Sequence, residues 1–450
     1  MDLLEIEIVN THLEFPMIEI FNAGSFHQSP IICFSKTHFY LLFLLLILLF
    51  CFGPAKAQIK SNSRNKDSLI RNSSQTDFRN QRDLVDLEYL VLGKDPNKRL
   101  DSTGKRNNKV HFSGSPSIEF SASTGLAVLA IGNFAYYSKV DTITNISAFL
   151  VGVGYTAKHQ FYIPIQSSLW TTYNRFNLLG DWRFDRFPLD TYGFGGHSKL
   201  SEGYTVVDNR VRFYEFSLKH IFKSFYMGFG VQFDYHWNIH ELLDSATRKP
   251  TDFEIYGYHT TSNSTGLAVD LLYDTRKNSI NPEAGAFYGN LVFRQNFSLL
   301  GSNSNWNSVL LDLRKYIQLP FHEILALWSY NNFTLIGNPP YLDLPGTAND
   351  TYGNTGRGYV INRFIGKKML YLEAEIRYRI TRNGLIGGVF FANAQSQSEL
   401  KSNQFEVISP GYGGGIRIKF NKLSKTNICL DYGIGSNGSH GIFANLGEVF

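Results

Sequence analysis

From about Ser117 onward, apolar and polar residues alternate along the chain with a period of two. The clearest run is 225–239. Phe225, Met227, Phe229, Val231, Phe233, Tyr235, Trp237 and Ile239 take the odd positions, with Tyr226, Gly228, Gly230, Gln232, Asp234, His236 and Asn238 between them. A helix would scatter that set around its circumference, whereas a strand puts it on one face. The pattern recurs at 267–273, 309–317 and 371–380. In the last, Leu372, Ala374, Ile376, Tyr378 and Ile380 oppose Glu373, Glu375, Arg377 and Arg379. The alternation predicts sixteen strands: 116–122, 125–138, 145–156, 158–170, 175–186, 205–220, 223–240, 264–275, 285–298, 306–317, 322–336, 367–381, 384–395, 409–421, 426–435 and 440–450.

The charged faces decide between two β architectures. A soluble sandwich buries its apolar face and leaves its charges in water. A transmembrane barrel inverts this, with apolar side chains toward lipid and polar ones lining the lumen. Glu and Arg stacked on one strand face suit a wet lumen with opposite charges in reach. The segments are longer than the roughly five or six residues usual in globular sheets, and their number is even, as in bacterial single-chain barrels. Short connections such as Arg382-Asn383 alternate with long ones such as 241–263 and 337–366. The expected fold is therefore all-β: a 16-stranded antiparallel transmembrane β-barrel with a long inward-folding loop.

Composition narrows the field further. The chain is 450 residues long, 43% hydrophobic, 15% aromatic and 18% charged, with a formal net charge of +5. So many aromatics exclude a disordered chain. A mean hydropathy of -0.17 excludes a polytopic helical membrane protein, which would need repeated apolar runs of about 20 residues. The small, dispersed positive excess gives no reason to expect nucleic acid.

One apolar run exists, Phe39 to Phe52, followed by Ala55-Lys56-Ala57. It is too short to span a bilayer comfortably and precedes a small-x-small tripeptide, so residues 1–57 read as a signal peptide cut after Ala57. A retained anchor is the alternative, and Met1 and Met17 are both candidate starts. Cys33 and Cys51 would leave with that segment, and Cys429 would remain as a small core residue. Residues 58–115 form a polar linker in which only 84–92 could make a short amphipathic helix, a candidate plug or periplasmic handle.

Searches for catalytic chemistry return nothing. No H-E-x-x-H, G-x-S-x-G, Walker or G-x-G-x-x-G pattern is present. His236 and His240 would lie about 13 Å apart on a strand, too far to share an ion, and read as lumen-lining. Ser439 and His440 are neighbours whose side chains a strand would send to opposite faces. No catalytic residue, metal site or cofactor is expected. Trp170, Trp182, Trp237 and Trp306 are expected in the aromatic girdles.

Four segments carry a family likeness. They are Tyr273-Asp274-Thr275-Arg276-Lys277-Asn278 with Pro282 and Gly285; Gly356-Arg357-Gly358-Tyr359 in the longest late loop; Leu372-Glu373-Ala374-Glu375-Ile376-Arg377; and Leu430-Asp431-Tyr432-Gly433 with Ala444-Asn445-Leu446-Gly447-Glu448-Val449-Phe450. Together they resemble the barrel half of the Omp85 superfamily (BamA/TamA, bacterial surface antigen D15), over residues 116–450. The resemblance implies that Arg357, flanked by Gly356 and Gly358 and followed by Tyr359, folds into the lumen. There it would seek a carboxylate, for which Glu375 is the preferred partner. Asn393 stands where the family pattern has an acid, which implies one acidic partner fewer. Leu446 and Phe450 would belong to a C-terminal insertion signal.

Relatives that insert or export proteins carry POTRA domains, and 58–115 is too short and too polar for one. The resemblance implies an outer-membrane barrel of a Gram-negative bacterium, active in protein insertion, translocation or assembly. Its partners would be outer-membrane lipid, unfolded outer-membrane or exported proteins, and a separate periplasmic scaffold. A passive pore or structural barrel is the alternative, and an outer-membrane hydrolase the third reading.

Overall fold

The computed structural model describes residues 81–96, 109–121, 124–141, 143–243, 249–422 and 424–450. The expected signal peptide and most of the linker lie outside the described residues. The first described element is the helix α1 (Leu84–Val91). Asp83 caps it, its side chain accepting from the Asp86 amide at 2.7 Å.

The remainder is one antiparallel sheet: β1 (His111–Ser121), β2 (Gly125–Tyr136), β3 (Ser147–Thr156), β4 (Phe161–Trp170), β5 (Phe176–Arg186), β6 (Leu189–Thr191), β7 (Tyr204–Phe222), β8 (Phe225–Leu242), β9 (Thr261–Asp274), β10 (Phe287–Asn296), β11 (Trp306–Gln318), β12 (Ile324–Ile336), β13 (Lys368–Arg379), β14 (Ile386–Gln397), β15 (Ser409–Asn421), β16 (Thr426–Gly435) and β17 (His440–Leu446). These seventeen segments make sixteen staves. Both β5 and β6 pair with β7, at Arg186↔Asn209 and Leu189↔Val206, so β6 prolongs β5. Pro188, which has no N–H to give the ladder, interrupts them.

Every stave is hydrogen-bonded to the next from β1 to β17. The first and last strands lie beside one another, but among the described residues no ladder joins them. β1 begins at His111, earlier than the alternation implies, because His111 to Ser115 carry Gly and Ser rather than alternating apolar residues. Pro116 sits within β1, which is tolerable in a strand with only one laddered neighbour.

The faces are inverted relative to a soluble protein. On β8, Met227, Phe229, Val231 and Tyr235 are exposed, while Gly228, Gly230, Gln232, Asp234 and His236 are buried. Ile416, Leu430, Tyr432 and Leu446 continue the outward apolar band on later strands. Inside, acid–arginine pairs stand two residues apart on one strand face: Asp181–Arg183 at 2.7 Å, Asp312–Arg314 at 2.7 Å and Glu375–Arg377 at 2.7 Å. Residues i and i+2 share a face, so each arginine meets its acid without leaving the lumen.

Two expectations need correction. His240 is exposed and does not line the lumen. Asn238 takes a left-handed conformation (φ 55°) and the β7–β8 register shifts at Val207/Asn209, so the facing is reversed: Ile239 is buried and His240 points out. Trp306 is not a girdle residue either. It is buried, with the Arg294 guanidinium 4.9 Å from its ring centroid. Cys429 is fully buried, and its thiol lies 3.0 Å from the Gly447 carbonyl.

α1 is fastened to the turn between β15 and β16. The Asp83 carboxylate accepts from the Lys422 amide (2.7 Å), and the buried Lys422 ammonium donates to Asp86 at 2.7 Å. Lys422→Met should therefore loosen α1 by about 3 kcal/mol, since removing one member of a buried pair strands its partner. Limited proteolysis would show faster cleavage within 81–96 while the barrel keeps its compact gel mobility. Unchanged protection would refute the anchor.

Candidate functional site: an arginine seated across the lumen

The connection from β12 to β13, residues 337–367, folds into the barrel and is tied to opposite walls. Near its start, Asp343 accepts from Ser264 Oγ on β9 (2.5 Å) and lies 3.2 Å from His236 Nε2 on β8. His236 is held from its other side by Asp208, 2.6 Å from Nδ1. Further along, the Thr351 carbonyl accepts from Arg183 on β5 at 2.7 Å. Just before it, Thr347 donates to Gln395 on β14 (2.9 Å). The tip owes its shape to Asp350, whose carboxylate accepts from the amides of Asn354 (2.9 Å) and Thr355 (2.7 Å) and from the Thr355 hydroxyl (2.8 Å). A side chain that folds back onto its own backbone this way stabilises a turn without a sheet partner.

That turn presents Arg357. Its Nη1 donates to Asp431 on β16 (2.7 Å), and its Nη2 donates to Glu375 on β13 (2.6 Å) and to Glu373 on the same strand. The guanidinium also lies 3.7 Å from the Phe391 ring centroid on β14, and Arg357 is only 1% exposed. The flanking glycines are required by geometry. Gly356 and Gly358 have φ of 80° and 105°, a region that side-chain-bearing residues rarely adopt. A Cβ on Gly358 would also come within 2.9 Å of the Ile434 backbone. Tyr359 is buried, donates to the Pro410 carbonyl and accepts from the Ser436 amide at 2.8 Å, which fixes the loop to the ends of β15 and β16.

Asn393 does not leave the guanidinium short of acids. Its Nδ2 donates to the Arg357 carbonyl at 2.9 Å, so the amide holds the backbone while three carboxylates hold the head group. Around them the network widens. Arg377 pairs with Glu375, and Arg417 pairs with Asp431 and with Glu448 (2.8 Å). Planar guanidinium forks suit such shared recognition of carboxylates.

The chain after β17 turns inward to meet this network. Gly447 has φ 99°, and its amide donates to Asn427. The Glu448 amide donates to the Ile280 carbonyl in the β9–β10 connection (2.8 Å), and the Val449 carbonyl accepts from Asn354 at the loop tip (2.7 Å). Phe450 is buried and stacked on Trp328, with ring centroids 5.0 Å apart, and its carbonyl accepts from Arg377 at 2.8 Å. Leu446 is 63% exposed on the outer face. The structure thus separates the two residues assigned to an insertion signal.

The chain superposes on CdiB from Acinetobacter baumannii with a TM-score of 0.50 at 12% identity, covering 76% of this chain and 60% of that one. The fold is that of an Omp85-type barrel. The chain therefore spans less than two thirds of the Acinetobacter protein. BamA from Haemophilus ducreyi lacking POTRA domains 1-3 is similar at a TM-score of 0.49 and 12% identity, over 78% of this chain and 77% of that chain. CdiB from Escherichia coli follows at 0.47 and 9%, over 76% and 68%. No family model matches the sequence, and no curated protein matches it.

Within the barrel, Gly356, Arg357, Gly358, Tyr359, Glu375 and Asn393 come together in one place. Glu373, Asp431, Arg377, Arg417 and Glu448 complete the site, although the sequence assigns none of them to it. Glu373 shares a strand face with Glu375, so the period of two carried its signal. Among the described residues no group of three or more metal-ligating side chains could hold an ion.

Proposed function

We propose that this barrel sits in the outer membrane of a Gram-negative cell and assists the insertion, translocation or assembly of other proteins, without catalytic chemistry of its own. The observation that carries this reading is the unladdered seam between β1 and β17, the one junction among the described residues where strand edges are not satisfied by each other. Unpaired edge groups are a template for an incoming strand. Its partners on this reading are membrane lipid around the outward apolar band, an extended client polypeptide at the seam, and a separate periplasmic scaffold. The loop tied to β5, β8, β9, β13 and β16 crosses the lumen, which weighs against the passive-pore alternative.

The test is a cysteine pair across the seam, one cysteine within 116–121 and one within 440–446, in the full chain reconstituted into liposomes. Folding of a urea-denatured outer-membrane protein into those liposomes should fall to the lipid-only rate when the pair is oxidised and recover with reductant. An oxidised barrel that assists as well as the reduced one would overturn the seam as the working element.

A further inference from the structure

At the end of the barrel that carries the long loops, the β6–β7 connection meets the returning limb of the lumen loop around a surface pocket of about 590 Å³. His197, Ser198, Lys199, Ser201, Arg363 and Asn437 contribute to its lining. Arg363 lies under this surface, fully buried. Its Nη1 donates to Ser198 Oγ at 2.9 Å, its Nη2 to the Ser198 carbonyl at 2.8 Å, and its guanidinium sits 4.2 Å from the Phe364 ring centroid. Among the described residues its Nε has no partner.

Arg363 differs from the other buried arginines in what surrounds it. Arg294, Arg357, Arg377 and Arg417 each pair with a carboxylate. Among the described residues, no carboxylate lies within ion-pair distance of Arg363. Burial lowers its pKa from the ordinary arginine value, and no acid is close enough to offset that. An uncompensated buried charge is costly unless something at the site returns the counter-charge.

The pocket above adds to the same sign. Lys199 and His197 are exposed in its lining, and no carboxylate lines it. Of the acids nearby, one is held by backbone amides, and two face the pocket's own cations from exposed positions without lining it. Glu399 accepts from the Gly196 and His197 amides at 2.9 and 3.3 Å, Glu202 faces Lys199 at 3.7 Å from an exposed position, and Glu406 lies 3.5 Å from His197. Ser201 is exposed beside Lys199, so its hydroxyl is available to a ligand.

We propose that this pocket binds a phosphoryl group, with Lys199 and Ser201 as direct donors and the buried Arg363 supplying charge from beneath. A phosphoryl group carries about 1.5 to 2 negative charges near neutral pH, which the Lys199 and Arg363 pair balances better than it would a single carboxylate. The tetrahedral oxygens can also accept from an ammonium and a hydroxyl together. The phosphoryl group can come from a soluble phosphate or from a lipid headgroup.

The experiment uses the detergent-purified full chain and compares wild type with Lys199→Ala and Arg363→Gln. Thermal unfolding is followed while inorganic phosphate replaces chloride at constant ionic strength. In a second arm, the protein is titrated with vesicles of phosphatidylcholine with and without phosphatidic acid. Saturable stabilisation by inorganic phosphate, weakened about tenfold or more in Lys199→Ala, supports the site and identifies a soluble ligand. Binding only to phosphatidic acid vesicles, again weakened by Lys199→Ala, supports it with a lipid source. Lys199 is exposed, so its variant keeps the test valid if Arg363→Gln does not fold. No saturable response in either arm, or one equal in wild type and Lys199→Ala, overturns the proposal.

Discussion

Arg357→Ala should cost the folded barrel about 5 kcal/mol or more and release the loop tip from the wall. The size follows from what remains. Glu373, Glu375 and Asp431 are all nearly solvent-free, and Arg357 is the group that touches all three. Without it, Arg377 and Arg417 still serve Glu375 and Asp431, but among the described residues Glu373 keeps only the Tyr371 hydroxyl as a side-chain donor. Breaking a buried pair by removing one partner is far more harmful than never having had it, because the remaining charge is stranded. Adding Glu373→Gln to the alanine variant should therefore restore part of the loss. Arg357→Lys keeps the charge but cannot fork between strands, so it should fall between the two. Urea unfolding in micelles measures the stability, and protease cleavage within 346–358 reports the loop. A variant as stable and as protected as wild type would show that the guanidinium is not what seats the loop.

The second large effect is expected at the other side of the same network. Phe450→Ala should destabilise the barrel by about 3–5 kcal/mol, the range for truncating a buried aromatic. Phe450 packs with Trp328, Tyr371, Tyr316 and Met369 inside the barrel, and Arg377 lies over its ring as well as bonding its carbonyl. Phe450→Leu should recover most of the loss, since it refills much of the volume without the ring. Thermal melts compare the three forms. If Phe450→Ala melts with wild type, the inward packing is not a source of stability, and its role lies in the chain before folding.

Much of this architecture is legible in the sequence because a barrel wall forces side chains to alternate between lipid and lumen. Residues 225–237 display that constraint openly, and strand positions elsewhere follow it closely. Trp306 was legible too. Its even position puts it on the face of Asp312, and a general preference of tryptophan for girdles pointed the wrong way. His240 was not legible, because a single left-handed residue at Asn238 reverses the facing beyond it. Asp431 could be placed on the lumen face but not beside Arg357, since spacing along the chain says nothing about which staves a loop will reach. The inward turn of 447–450 depends on backbone geometry at Gly447, and the alternation up to Leu446 gives no warning of it.

The clasp between α1 and Lys422 carries a consequence for the order in which the molecule is made. Asp86 and Lys422 are 336 positions apart, with nearly the whole wall between them. A ribosome delivers the helix long before its anchor, so the helix must wait, without its lysine, for the strands in between. Closing so long a loop is entropically slow, and only the finished wall makes it worthwhile. Docking of α1 is thus a late event, and protection of residues 81–96 from protease would time the completion of the barrel.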